Sequence, residues 1–370
     1  HPYLQPDGRG WLDNTERFLR FARAVAAFVE STRPDVAHLN DWHTATALAA
    51  IAPGVPSVLS LHNLAHQGAT GSEWLEVIGP RGHHYEWWGG MNPLTGAIAL
   101  ADRVVAVSPH HASEILSVDG GFGLDGPLRD RGGAVSGILN GIDTSLWDPA
   151  SDPALPASFS VDDPEPRDQS RAALSERLGF ADDGQLLAVA VTRLTDQKGI
   201  DLLEPVVPLL DEFPMRLAVL GSGERDLADR LGALSIAYPE RFAFVEGYDE
   251  QLAHLMFAGS DLFVMPSRFE PCGLTQMQAM RYGSIPVVTG VGGLVDTVPD
   301  VDAHPRAGRG FVADGAEVGP VISALHRAAR RCSDRRRLST LRRRVMSVDW
   351  SWDGPAREYV EIYRQLSRGH

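Results

Sequence analysis

Short apolar runs that end in polar residues recur along the first part of the chain and predict an α/β fold. The runs cover residues 36–39, 57–61, 103–107 and 135–139. Their length and composition are typical of buried parallel strands, and the segments between them have helical composition. A strand, a polar tip and a helix repeated in this order predict a parallel sheet covered by helices.

The same rhythm restarts in the second half of the chain, at residues 186–191, 217–220, 242–245, 261–265 and 285–289. Between the two halves, residues 147–169 are rich in Asp, Pro and Ser and lack periodicity, which indicates a linker. We therefore predict two Rossmann-like domains that face each other across a cleft. The first comprises residues 1–146 together with 350–370, and the second comprises residues 147–349.

Amphipathic patterns predict a helix near each end of the sequence. In residues 14–30 the apolar stripe consists of Phe18, Phe21, Val25 and Phe28. In residues 350–366 the candidate packing residues are Trp352, Tyr359, Ile362 and Tyr363. Each helix is expected to bury these side chains.

Composition limits the functional classes that need to be considered. The 370 residues are 44% hydrophobic and 22% charged, as in a globular protein with sizeable cores, and their formal net charge is −14. So acidic a chain is a poor partner for nucleic acid, and no apolar run is long enough to suggest a membrane partner. The two cysteines, Cys272 and Cys332, give no disulfide framework and indicate the cytoplasm.

Polar residues follow several predicted strands of the first domain and are candidate binding residues. Asp41 and His43 follow the first strand, His62 follows the second and Asn140 follows the fourth. In open parallel sheets, ligands bind beyond the carboxyl ends of the strands. We expect these side chains to line a ligand site, although each taken alone is also compatible with an ordinary surface role.

The stretch from Ser267 to Gln276 contains the strongest single site candidate. A buried strand, a Pro/Gly turn and a helix start follow one another there, so that free backbone N–H groups and the positive helix end converge. Glu270 on this turn suits hydroxyl groups rather than phosphate, so a ligand with both phosphate and sugar would satisfy the turn. An ordinary strand–helix connection with a hydrogen-bonded Glu is the alternative.

Arg193 and Lys198 follow the first strand of the second domain and offer two positive charges. A diphosphate leaving group needs such compensation, because negative charge grows on its bridging oxygen as the bond breaks. Gly292 and Gly293 provide a further cluster of backbone N–H groups suited to phosphate. Ordinary surface positions for Arg193 and Lys198 are the alternative.

Dinucleotide, metal and thiol chemistry are poorly supported by the sequence. The string Gly221-Ser222-Gly223-Glu224 lacks the complete dinucleotide fingerprint, which argues against a dehydrogenase. His62 and His66 have no carboxylate at a ligand-like spacing, and Cys272 has no base beside it in the sequence. We therefore expect no metal and no cofactor.

Several motifs, taken in chain order, resemble one family. They are Asn40-Asp41-Trp42-His43, Leu61-His62-Asn63-Leu64 with Gln67-Gly68, Leu139-Asn140-Gly141-Ile142-Asp143, residues 193–199, Gly247-Tyr248, residues 267–276 and Gly292-Gly293-Leu294. Together they cover nearly the whole chain and resemble the bacterial glycogen and starch synthases, which are retaining glucosyltransferases with the two-domain GT-B fold. Each motif alone is modest, but the ordered set is highly specific.

The resemblance implies that glucose moves from a nucleotide sugar, usually ADP-glucose, to the non-reducing end of an α-1,4-glucan without a metal. It implies that Arg193 and Lys198 hold the diphosphate and stabilise its departure. Glu270 would bind hydroxyl groups of the donor sugar. His62 would lie near the reacting sugar and assist its developing positive charge.

The resemblance also implies a set of donor and substrate contacts. They are Asp41, Asn140, Gly141, Tyr248, Cys272, Gly273, Leu274, Thr275, Gly292 and Gly293. Among them, Tyr248 would flank the adenine, whereas Asp41 and Asn140 would line the donor cleft from the first domain. Related GT-B transferases carry a second Glu where this chain has Gln278, so an amide replaces the usual ribose-binding carboxylate.

The sequence departs from the family pattern at its start. Family members begin with a strand and a Lys-Thr-Gly-Gly loop that cradles the donor, and no such string occurs here. We therefore expect the first domain to be incomplete at its N-terminus, as in a fragment of an active enzyme. Two alternatives stay open: a descendant that binds glucan without catalysis, and a GT-B transferase with another donor or a small-molecule acceptor.

Overall fold

The computed structural model describes residue 3 and residues 10–181 and 183–368. It divides into two compact units, His1–Asn140 with Asp353–His370, and Gly141–Trp352. The boundaries expected from the sequence, after residues 146 and 349, lie close to these two crossings. Within the described residues, no helix is both long and apolar enough to cross a lipid bilayer.

A four-stranded parallel sheet is the centre of the first unit. The strands of this unit are β1 (Ala37–Asn40), β2 (Ser57–Leu61), β3 (Glu86–Trp87), β4 (Gly90–Met91), β5 (Arg103–Ala106) and β6 (Val135–Gly137). The sheet has the order β1-β2-β5-β6, and β3 pairs with β4 in an antiparallel hairpin. The sheet strands agree with the predicted runs. The hairpin was not predicted, because two residues per strand give no periodic signal.

Six α-helices precede the crossing into the second unit among the described residues. They are α1 (Asn14–Thr32), α2 (Asp41–Ala45), α3 (Leu75–Ile78), α4 (Pro93–Leu100), α5 (Pro109–Glu114) and α6 (Asp125–Asp130). Helix α4 illustrates how the sequence sets a helix start. The side chain of Asn92 accepts hydrogen bonds from the N–H groups of Leu94 and Thr95, and Pro93 occupies the first helical position.

Helix α1 covers the predicted range but presents a different face to the core. Its buried residues are Leu19, Ala22, Ala26 and Val29. Phe21 and Phe28 are 51% and 66% exposed, so the predicted stripe is wrong at these two positions. Its other two members do pack: Val25 packs against the core, and the ring of Phe18 contacts that of Trp42. Both sets have helical spacing. The set with two alanines lets the helix backbone approach its neighbours closely, which a face of three phenylalanine rings does not allow.

A six-stranded parallel sheet is the centre of the second unit. Its strands are β7 (Leu186–Leu194), β8 (Met215–Gly223), β9 (Phe242–Glu246), β10 (Leu262–Met265), β11 (Ile285–Thr289) and β12 (Phe311–Ala313). The order in the sheet is β12-β11-β10-β7-β8-β9. This is the doubly wound order of a Rossmann domain, in which the chain builds one half of the sheet and then crosses to build the other.

The helices of the second unit alternate with these strands, and the last helix of the chain returns to the first unit. They are α7 (Arg167–Leu178), α8 (Arg225–Ala237), α9 (Glu250–Gly259), α10 (Thr275–Arg281), α11 (Gly292–Thr297), α12 (Val318–Cys332), α13 (Arg335–Met346) and α14 (Asp353–Arg368). On α14, Tyr359, Ile362 and Tyr363 pack against the sheet of the first unit, as predicted. Trp352 precedes the helix and is 44% exposed, so its predicted packing role is wrong.

The segment predicted as a linker is packed onto the second unit instead. The hydroxyl of Tyr282 donates to Oδ2 of the buried Asp152 at 2.5 Å, and Nδ1 of His254 lies 2.6 Å from the same oxygen. The ring of Trp147 stacks on His254 with centroids 4.2 Å apart, and Phe159 is buried. The composition of this segment predicted a loop correctly, but a few isolated large side chains anchor it to α9 and α10.

Two strands of the second unit are longer than their apolar runs. Strand β7 pairs with β8 up to Leu194, which lies opposite Gly223. Arg193 therefore lies within the strand, and the prediction that it follows the strand is wrong. Because the last residues of these strands are polar, the apolar pattern in the sequence ends before the strands do. Strand β12 was also not predicted, because three residues at the edge of a sheet give little signal.

Candidate active site

The strand order of the second unit creates a switch point between β7 and β10. The chain runs from β7 to β8 and β9 on one side, and then places β10 on the opposite side of β7. The loops that leave these two strands diverge at the carboxyl edge of the sheet, where ligands of doubly wound folds bind. The N–H of Arg268 donates to the carbonyl of Gln197 at 2.8 Å, so the two loops are in direct contact.

Lys198 and Glu270 meet at this switch point. Nζ of Lys198 donates to Oε2 of Glu270 at 2.6 Å, and Oγ of Ser267 donates to the same oxygen at 3.1 Å. The side chains of Lys198 and Glu270 are only 13% and 7% exposed. Among the described residues, Oε1 of Glu270 has no hydrogen-bond partner, so it can accept a hydrogen bond from a ligand hydroxyl.

Gly199 allows the loop after β7 to rest on the loop after β10. Its φ of 62° lies in the left-handed region, and a Cβ at this position would lie 2.1 Å from the carbonyl oxygen of Pro266. A side chain would therefore be strained by the backbone and would also collide with it. Because Gly199 directly follows Lys198, this close approach sets the position of the lysine.

Arg193 supplies a second positive charge near the same place. It lies opposite Ser222 in the β7–β8 ladder and is exposed. Within the described part of the chain its side chain forms no hydrogen bond and no ion pair. A guanidinium group with five donors and no protein acceptor is suited to an anionic ligand.

Arg193 and Lys198 line one cavity of about 310 Å³ in the second unit, together with Tyr248 and Thr275. Tyr248 is 86% exposed, so its ring is available to stack on a flat group. Four of the predicted site residues are thus brought to one cavity. Glu270 is joined to it through Lys198.

Other residues of this cavity were not predicted. Gly221, Ser222, Gly247 and Asp249 line it from the ends of β8 and β9 and from the start of α9. The signal was present in the sequence, because glycines at the carboxyl ends of strands mark places where a ligand can approach the backbone. The Gly221-Ser222-Gly223 string lacks the complete dinucleotide fingerprint, so it was not predicted to bind a ligand.

The turn after β10 holds Cys272, Gly273 and Leu274 in a fixed shape. Gly273 has a φ of 70°, and Nε2 of the buried Gln276 donates to the carbonyls of Cys272 and Gly273 at 3.2 and 3.0 Å. Cys272 is buried and not part of a disulfide, whereas Leu274 is 43% exposed. The turn therefore presents backbone rather than a thiol.

Gly292 and Gly293 begin α11, but the N–H of Gly293, predicted to face phosphate, is used within the protein. The N–H of Gly293 donates to the carbonyl of Glu270 at 3.0 Å. A Cβ on Gly293 would lie 2.2 Å from the carbonyl oxygen of Cys272, so only glycine fits between the two turns. The glycine pair therefore packs the start of α11 directly against the turn that carries Glu270.

Asp41 and His62 come together at the carboxyl edge of the first unit's sheet. Oδ1 of Asp41 accepts a hydrogen bond from the N–H of His62 at 2.8 Å, and Nε2 of His62 lies 2.9 Å from Oδ1 of Asn40. Asp41 adopts a φ of 52°, which is uncommon for a residue other than glycine. Burial raises the pKa of Asp41 above its ordinary value, and the nearby His62 opposes this shift.

Asn140 and Gly141 lie at the crossing between the units. Asn140 follows β6 and is half-buried. A Cβ on Gly141 would lie 2.7 Å from the backbone of Ser351, and the N–H of Ile142 donates to the carbonyl of Trp350 at 2.8 Å. The outgoing and returning segments thus pack closely, which gives Gly141 a structural requirement besides its predicted binding role.

Lys198 is the only lysine in the chain. The other 33 residues of the 34 that are lysine or arginine are all arginine. Arginine thus serves at every other basic position, including the partly buried ion pairs. The presence of lysine at this one position indicates that the site needs a compact ammonium group, because a guanidinium group is longer and planar.

The site can be compared with known proteins. Residues 1–130 match the family model described as starch synthase catalytic domain, and residues 174–327 match the one described as glycosyl transferases group 1. A glycogen synthase from Acidiphilium cryptum is 42% identical over 99% of this chain and 80% of its own length. The chain belongs to the glycogen and starch synthase family.

One solved structure supports the same family assignment, and a second shares the fold. Starch synthase IV from Arabidopsis thaliana, solved with ADP and acarbose bound, has a TM-score of 0.90 at 32% identity, covering 98% of this chain and 81% of that one. A sucrose-phosphate synthase from Thermosynechococcus elongatus has a TM-score of 0.64 at 19% identity, covering 99% and 82%, and shows the fold alone.

The predicted family and the predicted α/β fold of the GT-B class are therefore confirmed. As a member of the glycogen and starch synthase family, the chain is a glycosyltransferase, which was also predicted. The roles of the individual site residues stay predictions. What the structure adds is their grouping, with the charged residues of the second unit around one cavity and with Asp41 and His62 in contact in the first.

Proposed function

We propose that this glycogen and starch synthase family member transfers α-glucose from ADP-glucose to the non-reducing end of an α-1,4-glucan, with retention of configuration. The names of its relatives and the ADP bound by starch synthase IV support a nucleotide sugar as donor and a glucan as acceptor. The observation that carries the proposal is the pairing of Lys198 with Glu270 beside the unpartnered Arg193, as described above.

The two cations act on the leaving group. When the bond between the glucose carbon and the diphosphate oxygen breaks, negative charge accumulates on the diphosphate. Arg193 and Lys198 line the same cavity and hold this charge, which lowers the barrier more than it stabilises the bound donor. The backbone N–H groups of the turn from Cys272 to Thr275 contact the sugar and phosphate.

Glu270 orients the donor sugar. Its Oε2 is engaged by Lys198 and Ser267, and Oε1 is left for a sugar hydroxyl. Tyr248 flanks the adenine. For the first unit we propose that Asp41, His62 and Asn140 contact the sugar, with His62 close to the positive charge that develops on it.

We further propose that the reaction requires no metal or other cofactor, because the charge on the diphosphate is met by Arg193 and Lys198. A chelator such as EDTA should leave the rate unchanged, and a loss that added Mg²⁺ restores would contradict this. The cytoplasmic location stays a prediction. Both cysteines are buried and neither is part of a disulfide, as is usual in a reducing compartment.

The test is incorporation of radiolabelled glucose into glycogen from ADP-glucose and, in parallel, from UDP-glucose. We expect a higher kcat/KM for ADP-glucose. Arg193→Gln should lower kcat/KM by about 10²-fold and weaken ADP binding, since one charged donor to the leaving group is lost. Arg225→Gln is the matched control, because Arg225 is exposed on α8 and pairs only with Asp229.

Transfer from ADP-glucose to a small molecule but not to glycogen would overturn the proposed acceptor. A preference for UDP-glucose would overturn the proposed donor. If Arg193→Gln and Arg225→Gln bind ADP equally well, Arg193 is not part of the donor site.

A further inference from the structure

Arginines line a second cavity in the second unit, away from the switch point. Arg167, Arg171, Arg335 and Arg342 surround a space of about 400 Å³. Gly184, which also lines it, lies just before β7, and Asp261 directly precedes β10. The cavity is therefore at the amino edge of the six-stranded sheet, whereas the proposed donor site is at the carboxyl edge of the same sheet.

The charges around this cavity do not balance. Asp261 is buried and pairs with two arginines: Nη1 of Arg171 lies 2.6 Å from Oδ2, and Nη2 of Arg342 donates to Oδ1. Asp168 is the other carboxylate that lines the cavity. Four guanidinium groups thus face two carboxylates, which leaves an excess of two positive charges.

Arg167 is the most informative of the four arginines. It is only 3% exposed, and it forms no ion pair with any described residue. Nε donates to the carbonyl of Tyr282 at 2.9 Å and Nη2 donates to the carbonyl of Ser260, while Nη1 has no acceptor among the described residues. Nη1 of Arg167 is not among the fully buried polar atoms that have no partner, so solvent or a ligand in the cavity can accept its hydrogen bond.

A second unused donor lies beside it. Nε of Arg171 is buried and has no hydrogen-bond partner within the described residues. The pKa of Arg167 is held well below its ordinary value, first by burial and then by repulsion from Arg342. An anion in the cavity would relieve the repulsion and accept the unused hydrogen bond of Arg167.

A purely structural role accounts for only part of this arrangement. Arg167 and Arg342 donate to the carbonyls of Tyr282 and Gly283, just after α10 ends, and so stabilise that helix end. Helix capping needs neither the unused donors nor the exposed Arg335, whose Nη2 donates to the carbonyl of Gly184 at 2.9 Å at the edge of the cavity.

We propose that this arginine-lined cavity binds a phosphate group, either inorganic phosphate or the phosphate of a small phosphorylated sugar. A phosphate group carries about 1.5 to 2 negative charges at neutral pH, which offsets most of the excess around the cavity, and its oxygens match the planar donors of arginine. The site is separate from the diphosphate site at Arg193 and Lys198.

The test is calorimetric titration of the full 370-residue chain with inorganic phosphate and, separately, with glucose 6-phosphate. Saturating ADP is present to occupy the donor site, and sodium chloride at equal ionic strength is the blank. We expect one phosphate per chain. Arg335→Gln should weaken its binding by about tenfold, the effect of losing one charge-assisted hydrogen bond.

Arg337→Gln is the matched control, because Arg337 lies on the same helix but pairs with Asp334 outside the cavity. It should leave phosphate binding unchanged, and thermal unfolding should show that both variants are folded. Tighter binding of glucose 6-phosphate would support a sugar phosphate as the ligand, and equal binding would support recognition of the phosphate group alone.

Three results would overturn the proposal. They are heat no greater than with chloride, equal weakening by Arg335→Gln and Arg337→Gln, and phosphate binding that appears only in a parallel titration without ADP. The last result would place the anion in the donor site. The proposed transferase function is unaffected by any of the three, because it is tested by glucose incorporation.

Discussion

Replacing Lys198 by Gln tests whether the Lys198–Glu270 pair acts in catalysis or only in folding. The substitution removes the positive charge and keeps a hydrogen-bond donor of similar reach. In the folded chain, Nζ of Lys198 lies 2.6 Å from Oε2 of Glu270, and both side chains are largely buried. The change therefore acts on a contact that solvent screens only weakly.

The expected cost to stability is modest. An unpaired buried charge costs about 3–5 kcal/mol, but Ser267 still donates to Oε2 of Glu270 and the new amide can do so too. We therefore expect a loss of about 1–3 kcal/mol in the free energy of unfolding, measured by urea titration. The effect on the reaction should be more pronounced than the effect on stability. We expect kcat to fall by about 10²–10³-fold, because the substitution removes a donor directed at the charge that develops on the diphosphate.

Glucose incorporation from ADP-glucose measures the rate. A double-mutant cycle with Glu270→Gln then separates the pair's contribution from that of each residue. Lys198→Arg keeps the charge and is the stringent control. Because guanidinium is longer and planar, we expect Lys198→Arg to recover the stability but to keep less than a tenth of the wild-type rate. A tenfold loss of rate corresponds to a rise of about 1.4 kcal/mol in the activation free energy.

The single lysine also offers a direct probe. Reductive methylation with ¹³C-formaldehyde keeps the charge and labels Lys198 as the only side-chain amine of the chain. Its methyl resonance should shift when ADP is added. A kcat for Lys198→Gln within threefold of wild type, together with a methyl signal that ADP does not move, would refute the proposed role.

Two further predictions concern pH and backbone geometry. Burial, with added repulsion from His62, lowers the pKa of His38 from 6.5 to about 4. The unfolded state therefore binds the proton more readily, so stability should fall as the pH drops from about 6.5 to about 4, and His38→Gln should flatten this slope in urea titrations. Gly199 and Gly179 have φ values of 62° and 72°, but only a Cβ on Gly199 would meet backbone. Gly179→Ala should cost about 1–2 kcal/mol and spare kcat, whereas Gly199→Ala should cost more and lower kcat; equal losses would show that the collision is relieved.

Local pattern was a good guide to the strands and a poor guide to contacts. The run at residues 57–61 became β2 and that at 285–289 became β11, because continuous apolar stretches are typical of strands buried on both faces. The predicted face of α1 was wrong at Phe21 and Phe28, since two stripes of equal spacing compete and only the space available beside the helix decides between them. The prediction of a linker at residues 147–169 was wrong because its packing depends on a few isolated side chains, such as Trp147 and Phe159, which give no periodic signal in the sequence.

The sequence by itself determined the α/β class, the order of the family motifs and the residue types at the ends of the strands. Only the tertiary structure decided which of them meet. Lys198 and Glu270 are 72 positions apart, and they touch because the sheet places β10 beside β7. The arginine cavity at the opposite edge depends on the same strand order. Apolar runs and turn residues act over a few positions, whereas the pairing of distant charges depends on how the whole sheet is wound.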